Sequence, residues 1–148
     1  MNLKITIQEE PERSETEVAI YCRSAAQPEV ARLLSALHPL ERRLTGTKDG
    51  QTFPLLHSQI LYIESVDHRT FFYCADLVCE TPLRLYELEL GLSGAGFVRA
   101  SKAVIVNLSQ VRSLRPDFGG RLILTMNNGE KLFASRQYAK GIKEKLGI

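Results

Sequence analysis

The chain has 148 residues, of which 44% are hydrophobic and 24% are charged, a balance typical of a soluble globular domain. No apolar run approaches the roughly 20 residues that span a bilayer, and the N-terminal residues lack the apolar core of a secretory signal. These features exclude a membrane-spanning or secreted protein at the sequence level, so we expect a cytoplasmic protein. The three cysteines, an odd number, argue against a disulfide framework.

Charge is distributed unevenly along the chain. Residues 47–98 carry three basic and seven acidic side chains, a net charge of −4, whereas residues 99–148 carry ten basic and three acidic ones, a net charge of +7. A basic segment of this kind suits a polyanion, because each phosphate that it neutralises releases a counterion. Charge alone leaves a second interpretation open, namely an ordinary solvated basic surface.

Residues 1–41 are predicted to form a small ββα unit that precedes the main domain. Leu3–Ile7 alternates apolar and polar residues, which is typical of a half-buried strand, and Glu17–Cys22 resembles a more buried strand. Apolar residues from Val30 to Leu37 recur at helical spacing, and Pro28 stands where that helix would begin.

Short strands dominate residues 42–148, the predicted main domain. Turn-forming pairs such as Asp49-Gly50 and Asn128-Gly129 separate runs of apolar, β-branched and aromatic residues. The predicted strands fall within residues 43–47, 51–55, 60–65, 70–74, 77–80, 97–99, 104–106, 111–114, 121–125 and 131–134. Because alternating βαβ units are absent, the pattern predicts a mainly β (α+β overall) fold of antiparallel sheets and not a doubly wound nucleotide fold.

Two short helices complete the predicted main domain. Thr81-Pro82 resembles an N-cap followed by proline at the first helical position, ahead of apolar residues that end at Leu92. Ser135 is predicted to cap a final helix whose apolar face includes Tyr138 and Ile142.

No catalytic or cofactor-binding motif is present in the sequence. It contains no P-loop, no GxSxG elbow, no HExxH and no GxGxxG that opens a helix. Cys74 and Cys79 are spaced too widely for a zinc knuckle, and we expect them to be small buried apolar residues. We therefore expect a protein that is not an enzyme and that has no cofactor and no metal.

One group of residues shares a chemical theme, since its members are polar or basic and lie in predicted loops or at element ends. Side chains of these types donate hydrogen bonds to phosphates and base edges, and helix N-termini offer free N–H groups to phosphate. The group comprises His68, Arg69, Arg99, Ser101, Lys102, Arg136 and Gln137, with Lys140 and Lys143 further along the last helix. Residue type alone leaves open that they are ordinary solvated loop residues.

Three segments in the same order resemble the LytTR DNA-binding domain family. Residues 60–65 (ILYIES) resemble the strand that opens its core, residues 97–107 (FVRASKAVIVN) resemble its "FxRxHrSxiVN" stretch, and residues 121–138 resemble its closing strands and "SRrY" motif. The resemblance covers about residues 42–147. Since only about 40 residues precede this core, we expect a stand-alone member of the family without a receiver domain.

The resemblance implies an elongated set of antiparallel sheets that binds paired sites in double-stranded DNA through loops inserted into successive major grooves. The base-contacting loops would correspond to His68-Arg69, Ser101-Lys102 and Arg136-Gln137. This chain departs from the motif at Ser101, where histidine is usual, so the base readout is expected to differ. Asn107 matches the motif asparagine, and we expect it to hold a turn by side-chain hydrogen bonds.

The resemblance also implies partners. We expect a homodimer supported by the N-terminal unit, although that unit packing on its own domain is an equal alternative, and a membrane protein is an expected regulator. The main alternative function is a β-rich protein-interaction module that binds no nucleic acid.

Overall fold

The computed structural model describes residues 2–14, 16–37 and 43–148. The chain divides into two compact units, Met1–Leu37 and His38–Ile148, which are described separately. The boundary predicted between residues 41 and 42 lies outside the described residues.

In the described part of the N-terminal unit, residues 2–14 and 16–37, the one regular element is helix α1 (Pro28–Leu37), in which Val30 is buried. The helix is where its apolar spacing predicted it, but the two predicted strands are wrong, because Leu3–Ile7 and Glu17–Cys22 take part in no sheet among the described residues. Alternation gives a segment one apolar face, but a strand also needs a hydrogen-bonded neighbour. Ile5 and Ile7 consequently remain 80% and 84% exposed.

Residues 43–148 of the second unit contain ten strands and two α-helices besides short 3-10 turns, and the strands lie within two residues of their predicted bounds. The strands are β1 (Arg43–Lys48), β2 (Gln51–Leu56), β3 (Ile60–Val66), β4 (Arg69–Cys74), β5 (Val78–Thr81), β6 (Phe97–Ser101), β7 (Val104–Asn107), β8 (Val111–Pro116), β9 (Leu122–Met126) and β10 (Lys131–Ala134). The helices are α2 (Leu85–Leu92) and α3 (Arg136–Leu146). The mainly β, antiparallel fold predicted from the sequence is confirmed.

The strands form two antiparallel sheets. Seven strands pair in the order β2-β1-β5-β4-β3-β7-β6, and three pair in the order β10-β9-β8. Two apolar cores flank the larger sheet, one on each face, because successive residues of a strand point to opposite faces. Ile63, Ile105 and Phe72 pack with α2 on one face, while Tyr62 and Val106 pack with the small sheet and α3 on the other.

The start of α2 differs from the prediction. Thr81 is the last residue of β5, where it pairs with Thr70 and is buried, and the helix begins only at Leu85. The hydroxyl of Thr81 accepts a hydrogen bond from the Leu83 N–H at 3.3 Å, so it ties the connection instead of capping a helix. The strand ladder therefore uses a residue that local sequence assigned to a helix cap.

The last helix begins directly after Ser135, as the sequence predicted, although the Ser135 side chain makes no capping hydrogen bond. Ile142 of the predicted apolar face is fully buried, and Ala139 is buried beside it. Tyr138 is only half-buried, so α3 packs on the small face made by its alanine and isoleucine.

Candidate nucleic-acid interface

Two hairpin turns lie at the same end of the seven-stranded sheet, here called the hairpin end. They are Asp67-His68 between β3 and β4, and Lys102-Ala103 between β6 and β7. The antiparallel register fixes this arrangement, since Glu64 pairs with Val104 and the Ser65 N–H donates to the Ala103 carbonyl at 2.9 Å. Strand order places the His68 and Lys102 turns two strand spacings apart, about 10 Å.

The start of α3 joins the hairpin end beside the Lys102 turn. The Ser135 N–H donates to the Ala100 carbonyl of β6 at 2.8 Å, which fixes the first turn of the helix against the strand that carries Ser101. Arg136 and Gln137 are exposed there. Two of the three loops predicted from the sequence are thus adjacent, and the third is the neighbouring hairpin turn.

The His68 turn has an unusual backbone that presents its side chains outward. Asp67 and His68 both adopt positive φ, 51° and 65°, the left-handed conformation that a two-residue hairpin turn with the strands' own twist requires. Both residues are exposed. A tight, fixed turn of this kind holds the imidazole at the hairpin end of the sheet, beyond the last residue of β3 and the first residue of β4.

Arg69 is paired with a carboxylate on the neighbouring strand. Its Nε and one terminal nitrogen donate to the two oxygens of Glu80 at 2.9 and 2.7 Å, and its guanidinium lies over the ring of Phe71. The bidentate hydrogen bond with Arg69 lowers the pKa of Glu80, which keeps the carboxylate ionised. The sequence did not predict this partner, which competes with any phosphate for the same donors.

Arg99 is turned inward, which corrects the expectation that it presents a donor to solvent. Its side chain is only 14% exposed, and its Nε donates to Glu89 at 3.2 Å. One terminal nitrogen donates to the carbonyls of Ser101 and Lys102. Because these carbonyls belong to the β6–β7 turn, Arg99 fixes the shape of the turn that presents Lys102 and is a positioning residue.

The remaining predicted cations are exposed. Lys102 is at the apex of its turn, and the Ser101 hydroxyl accepts a hydrogen bond from the Ala103 N–H at 3.4 Å across it. Arg136, Lys140 and Lys143 are spaced at i, i+4 and i+7, so they lie along one side of α3. This row begins at the hairpin end and extends along the helix.

The charge asymmetry of the sequence reappears across the hairpin end. Its β3–β5 side carries Asp67 and the paired Glu80, whereas the β6–α3 side carries Lys102 and the α3 row. The attraction for a polyanion is therefore concentrated on the β6–α3 side.

Asn107 is part of the scaffold, as the sequence predicted. It is 1% exposed, and its side-chain nitrogen donates to the carbonyls of His57 and Ile60 at 3.1 and 2.8 Å. Its side-chain oxygen accepts hydrogen bonds from the backbone N–H and the hydroxyl of Ser109 at 3.2 and 2.7 Å. Asn107 pairs with Phe97, at the end of β7 opposite the hairpin end, and it holds two turns there.

The β8–β9 loop, residues 117–121, lies beside α3. The sequence predicts a turn here, but it does not predict that the turn contacts the last helix. A Cβ atom on Gly120 would lie 3.2 Å from the Cγ of Arg136, so the loop backbone directly contacts the first residue of the helix. The signal available in the sequence was Gly119-Gly120, which marks a turn but does not reveal which element the turn meets.

Among the described residues, the cysteine thiols of the second unit and the possible metal ligands show no sign of a reactive or metal-binding site. Burial raises the pKa of the Cys74 thiol to about 11 and also raises that of Cys79, so both are protonated at neutral pH. Within residues 2–14, 16–37 and 43–148, no three His, Cys, Asp or Glu side chains gather as metal ligands would. None of the helices in these ranges is long and apolar enough to cross a membrane.

Comparison with known proteins gives consistent relatives. The profile of the LytTr DNA-binding domain matches residues 50–147. The sensory transduction protein LytT of Enterococcus faecalis is 30% identical over 95 residues, which cover 64% of this chain but only 39% of LytT. An HTH-type transcriptional regulator of Staphylococcus aureus is 27% identical over 121 residues, covering 80% of this chain and 82% of that protein.

A solved structure agrees with the sequence matches. A LytTr DNA-binding domain from Bacillus cereus superposes with a TM-score of 0.69 and 27% identity, covering 73% of this chain and 99% of that domain. The resemblance inferred from three sequence segments is thereby confirmed, and these relatives support a DNA-binding role in transcription regulation and do not favour a protein-interaction module. The chain belongs to the LytTr DNA-binding domain family.

Proposed function

We propose that this chain regulates transcription by binding specific sites in double-stranded DNA through the hairpin end and the start of α3. The observation that carries the proposal is the convergence of the His68 turn, the Lys102 turn and Arg136 at one end of the sheet, tied by the Ser65–Ala103 and Ser135–Ala100 hydrogen bonds. Loops on a rigid scaffold present donors to a groove without a large ordering cost.

The hydrogen-bond donors of this surface fall into two groups, one for base edges and one for phosphates. His68, Lys102, Arg136 and Gln137 stand at the protruding ends of their elements, so we assign them to base edges in the major groove. Lys140 and Lys143 lie further along α3 and are assigned to phosphates, together with the N–H groups that begin α3. Arg69 contacts DNA in this scheme only by leaving Glu80.

Reading by loops is also favoured by the order of the elements. Five strands separate α1 from α2 and five separate α2 from α3, so no two α-helices of the described chain are consecutive as a helix-turn-helix pair requires. The base-reading surface is therefore assigned to turns and a helix N-terminus.

We propose that the active form is a homodimer in which the N-terminal unit, residues 1–41, supports association. The exposed apolar side chains of Ile5, Ile7 and Tyr21 favour a partner for this unit, and paired binding would raise affinity for paired sites. Light scattering of the full chain and of residues 42–148 tests the proposal. A full chain that is a dimer and a shortened chain that is a monomer support it. The proposal is refuted if both chains are monomers.

The remaining proposals follow from a DNA target. Binding to a bacterial chromosome places the protein in the cytoplasm, and the site needs no cofactor and performs no catalysis. A membrane-protein regulator is proposed as the source of control on the strength of the family resemblance. Crosslinking in intact cells followed by membrane fractionation would recover such a partner, and its absence from the crosslinked membrane fraction would refute that assignment.

The central test is a binding titration on a duplex selected from random sequences. Arg136→Ala should weaken binding by about 1–3 kcal/mol and relax preference at one base position. Lys131→Ala is the matched control, because Lys131 is also exposed but begins β10, at the end of the strand away from α3. Equal effects of the two changes, or no effect of Arg136→Ala, would remove Arg136 from the interface.

Salt dependence separates DNA binding from the alternative function. The logarithm of affinity should fall linearly with the logarithm of salt concentration, because phosphates release counterions on binding. Lys143→Ala should make this slope shallower by about 1 while leaving base preference unchanged. Failure of the wild-type chain to bind any duplex would favour a protein-interaction module.

A further inference from the structure

The β8–β9 loop carries an aromatic ring that its own fold leaves uncovered. Phe118 is 90% exposed at the apex of the loop. The strand that follows the loop, β9, buries its apolar side chains in the core, but Phe118 is left outside that core. Three arginines lie near the loop that carries the ring. Arg115 and Arg121 flank the loop in the chain, where the guanidinium of Arg121 lies over the ring of Phe133, and Arg136 contacts the loop at Gly120. An exposed ring among cations is a combination that nucleic-acid surfaces use.

The loop is held in a fixed shape. The Asp117 N–H donates to the Arg121 carbonyl at 2.9 Å, and the Arg121 side chain donates to the Asp117 carboxylate at 2.6 Å. Gly119 and Gly120 both have positive φ, 72° and 82°, which lets the chain reverse within this short loop. Phe118 is thus presented by a closed loop and not by a chain end that could fold back over it.

The local charge favours a polyanion over a second copy of this surface. Asp117 is the only acidic residue between Arg112 and Arg121, and it is already paired with Arg121. Its pKa is lowered first by a hydrogen bond from the Phe118 backbone N–H and then by Arg121, so the carboxylate stays ionised and paired. Two copies of this cationic surface would repel each other, whereas DNA presents apolar sugar faces beside phosphate anions.

We propose that Phe118 packs against deoxyribose rings of the DNA strand that borders the groove entered by the start of α3. Arg115, whose charge reaches Asp117 at the start of the loop, pairs with the adjoining phosphates. The inference rests on the proposed function, because Gly120 fixes the position of the ring relative to Arg136. It extends the interface by one element and gives the loop a role that the base-reading turns do not supply.

The test compares variants on one selected duplex. Phe118→Ala should weaken binding about tenfold, since truncation exposes apolar area on both sides of the contact. Phe118→Leu keeps an apolar side chain and should retain most of the affinity. Leu56→Ala is the matched control, because Leu56 is an exposed apolar residue next to His57, whose carbonyl accepts a hydrogen bond from Asn107 at the end of β7 opposite the hairpin end.

Hydroxyl-radical footprinting supplies the direct readout, because the radical attacks deoxyribose. Wild-type protein should protect a few nucleotides beside those protected by Arg136, and Phe118→Ala should lose only that flanking protection. Thermal melting of each variant establishes that the fold is intact, as expected for so exposed a side chain.

Three outcomes would overturn the inference. Equal affinity and an identical footprint for Phe118→Ala would show that the ring touches no DNA. A change in molecular mass without a change in footprint would assign the ring to a contact between copies. If the wild-type chain binds no duplex, the proposed function itself fails, and that result is seen before any variant is compared.

Discussion

Replacing Asn107 with alanine tests whether the most buried polar residue of the fold supports structure or touches DNA. The side chain makes four hydrogen bonds, two donated to the carbonyls of His57 and Ile60 and two accepted from Ser109. Each intramolecular hydrogen bond contributes about 1 kcal/mol net. The Ser109 hydroxyl can turn to water after the change, so the expected loss is about 3 kcal/mol of unfolding free energy.

Chemical denaturation measures this loss directly. The midpoint should fall with little change in the slope, and the melting temperature should drop by about 10 °C. Ser109→Ala is the graded control, because it removes only the hydroxyl hydrogen bond of 2.7 Å and should cost about 1 kcal/mol.

The same variant separates scaffold from interface. Asn107 lies at the end of β7 opposite the hairpin end, so Asn107→Ala should bind DNA with the wild-type salt slope at temperatures where it is folded. Lost DNA affinity with unchanged stability would refute this reasoning and would place Asn107 in the interface.

Three further changes probe the site and the core. Arg99→Lys should weaken DNA binding without making the salt slope shallower, because lysine cannot bridge Glu89 and the turn carbonyls; a slope reduced by about 1 would mean that Arg99 itself meets phosphate. Glu80→Gln should release Arg69 and raise affinity for duplex DNA in low salt, and unchanged affinity would show that Arg69 stays away from DNA. Burial and the Glu130 hydrogen bond raise the pKa of Tyr62, so the unfolding free energy should fall as pH rises above about 10, and Tyr62→Phe should flatten that fall in an alkaline denaturation series.

Local sequence predicted the strands of the second unit because their residues are apolar, β-branched or aromatic and because Asp49-Gly50 and Asn128-Gly129 mark two of the turns. It could not predict the sheet order, since pairing β3 with both β4 and β7 depends on contacts between residues distant in sequence. The same limit explains the N-terminal error: Leu3–Ile7 has the alternation of a strand but no neighbour to pair with among the described residues.

The candidate site was predictable in its residue types but not in its partners. Motif position identified His68, Lys102 and Arg136, and the register places their elements together. Nothing local distinguishes Arg99, which is bonded to Glu89 across the fold, from Lys102, which stands exposed three residues later. Whether a cation faces solvent or a carboxylate is decided by tertiary packing.

Chemical-shift mapping of the amide groups during titration with a selected duplex tests the central claim most directly. We expect the largest changes at His68, Lys102, Arg136 and Gln137, while the turns at residues 57–59 and 108–110, at the other end of the sheet, change little. Changes concentrated at residues 57–59 and 108–110, with none at the hairpin end, would contradict it.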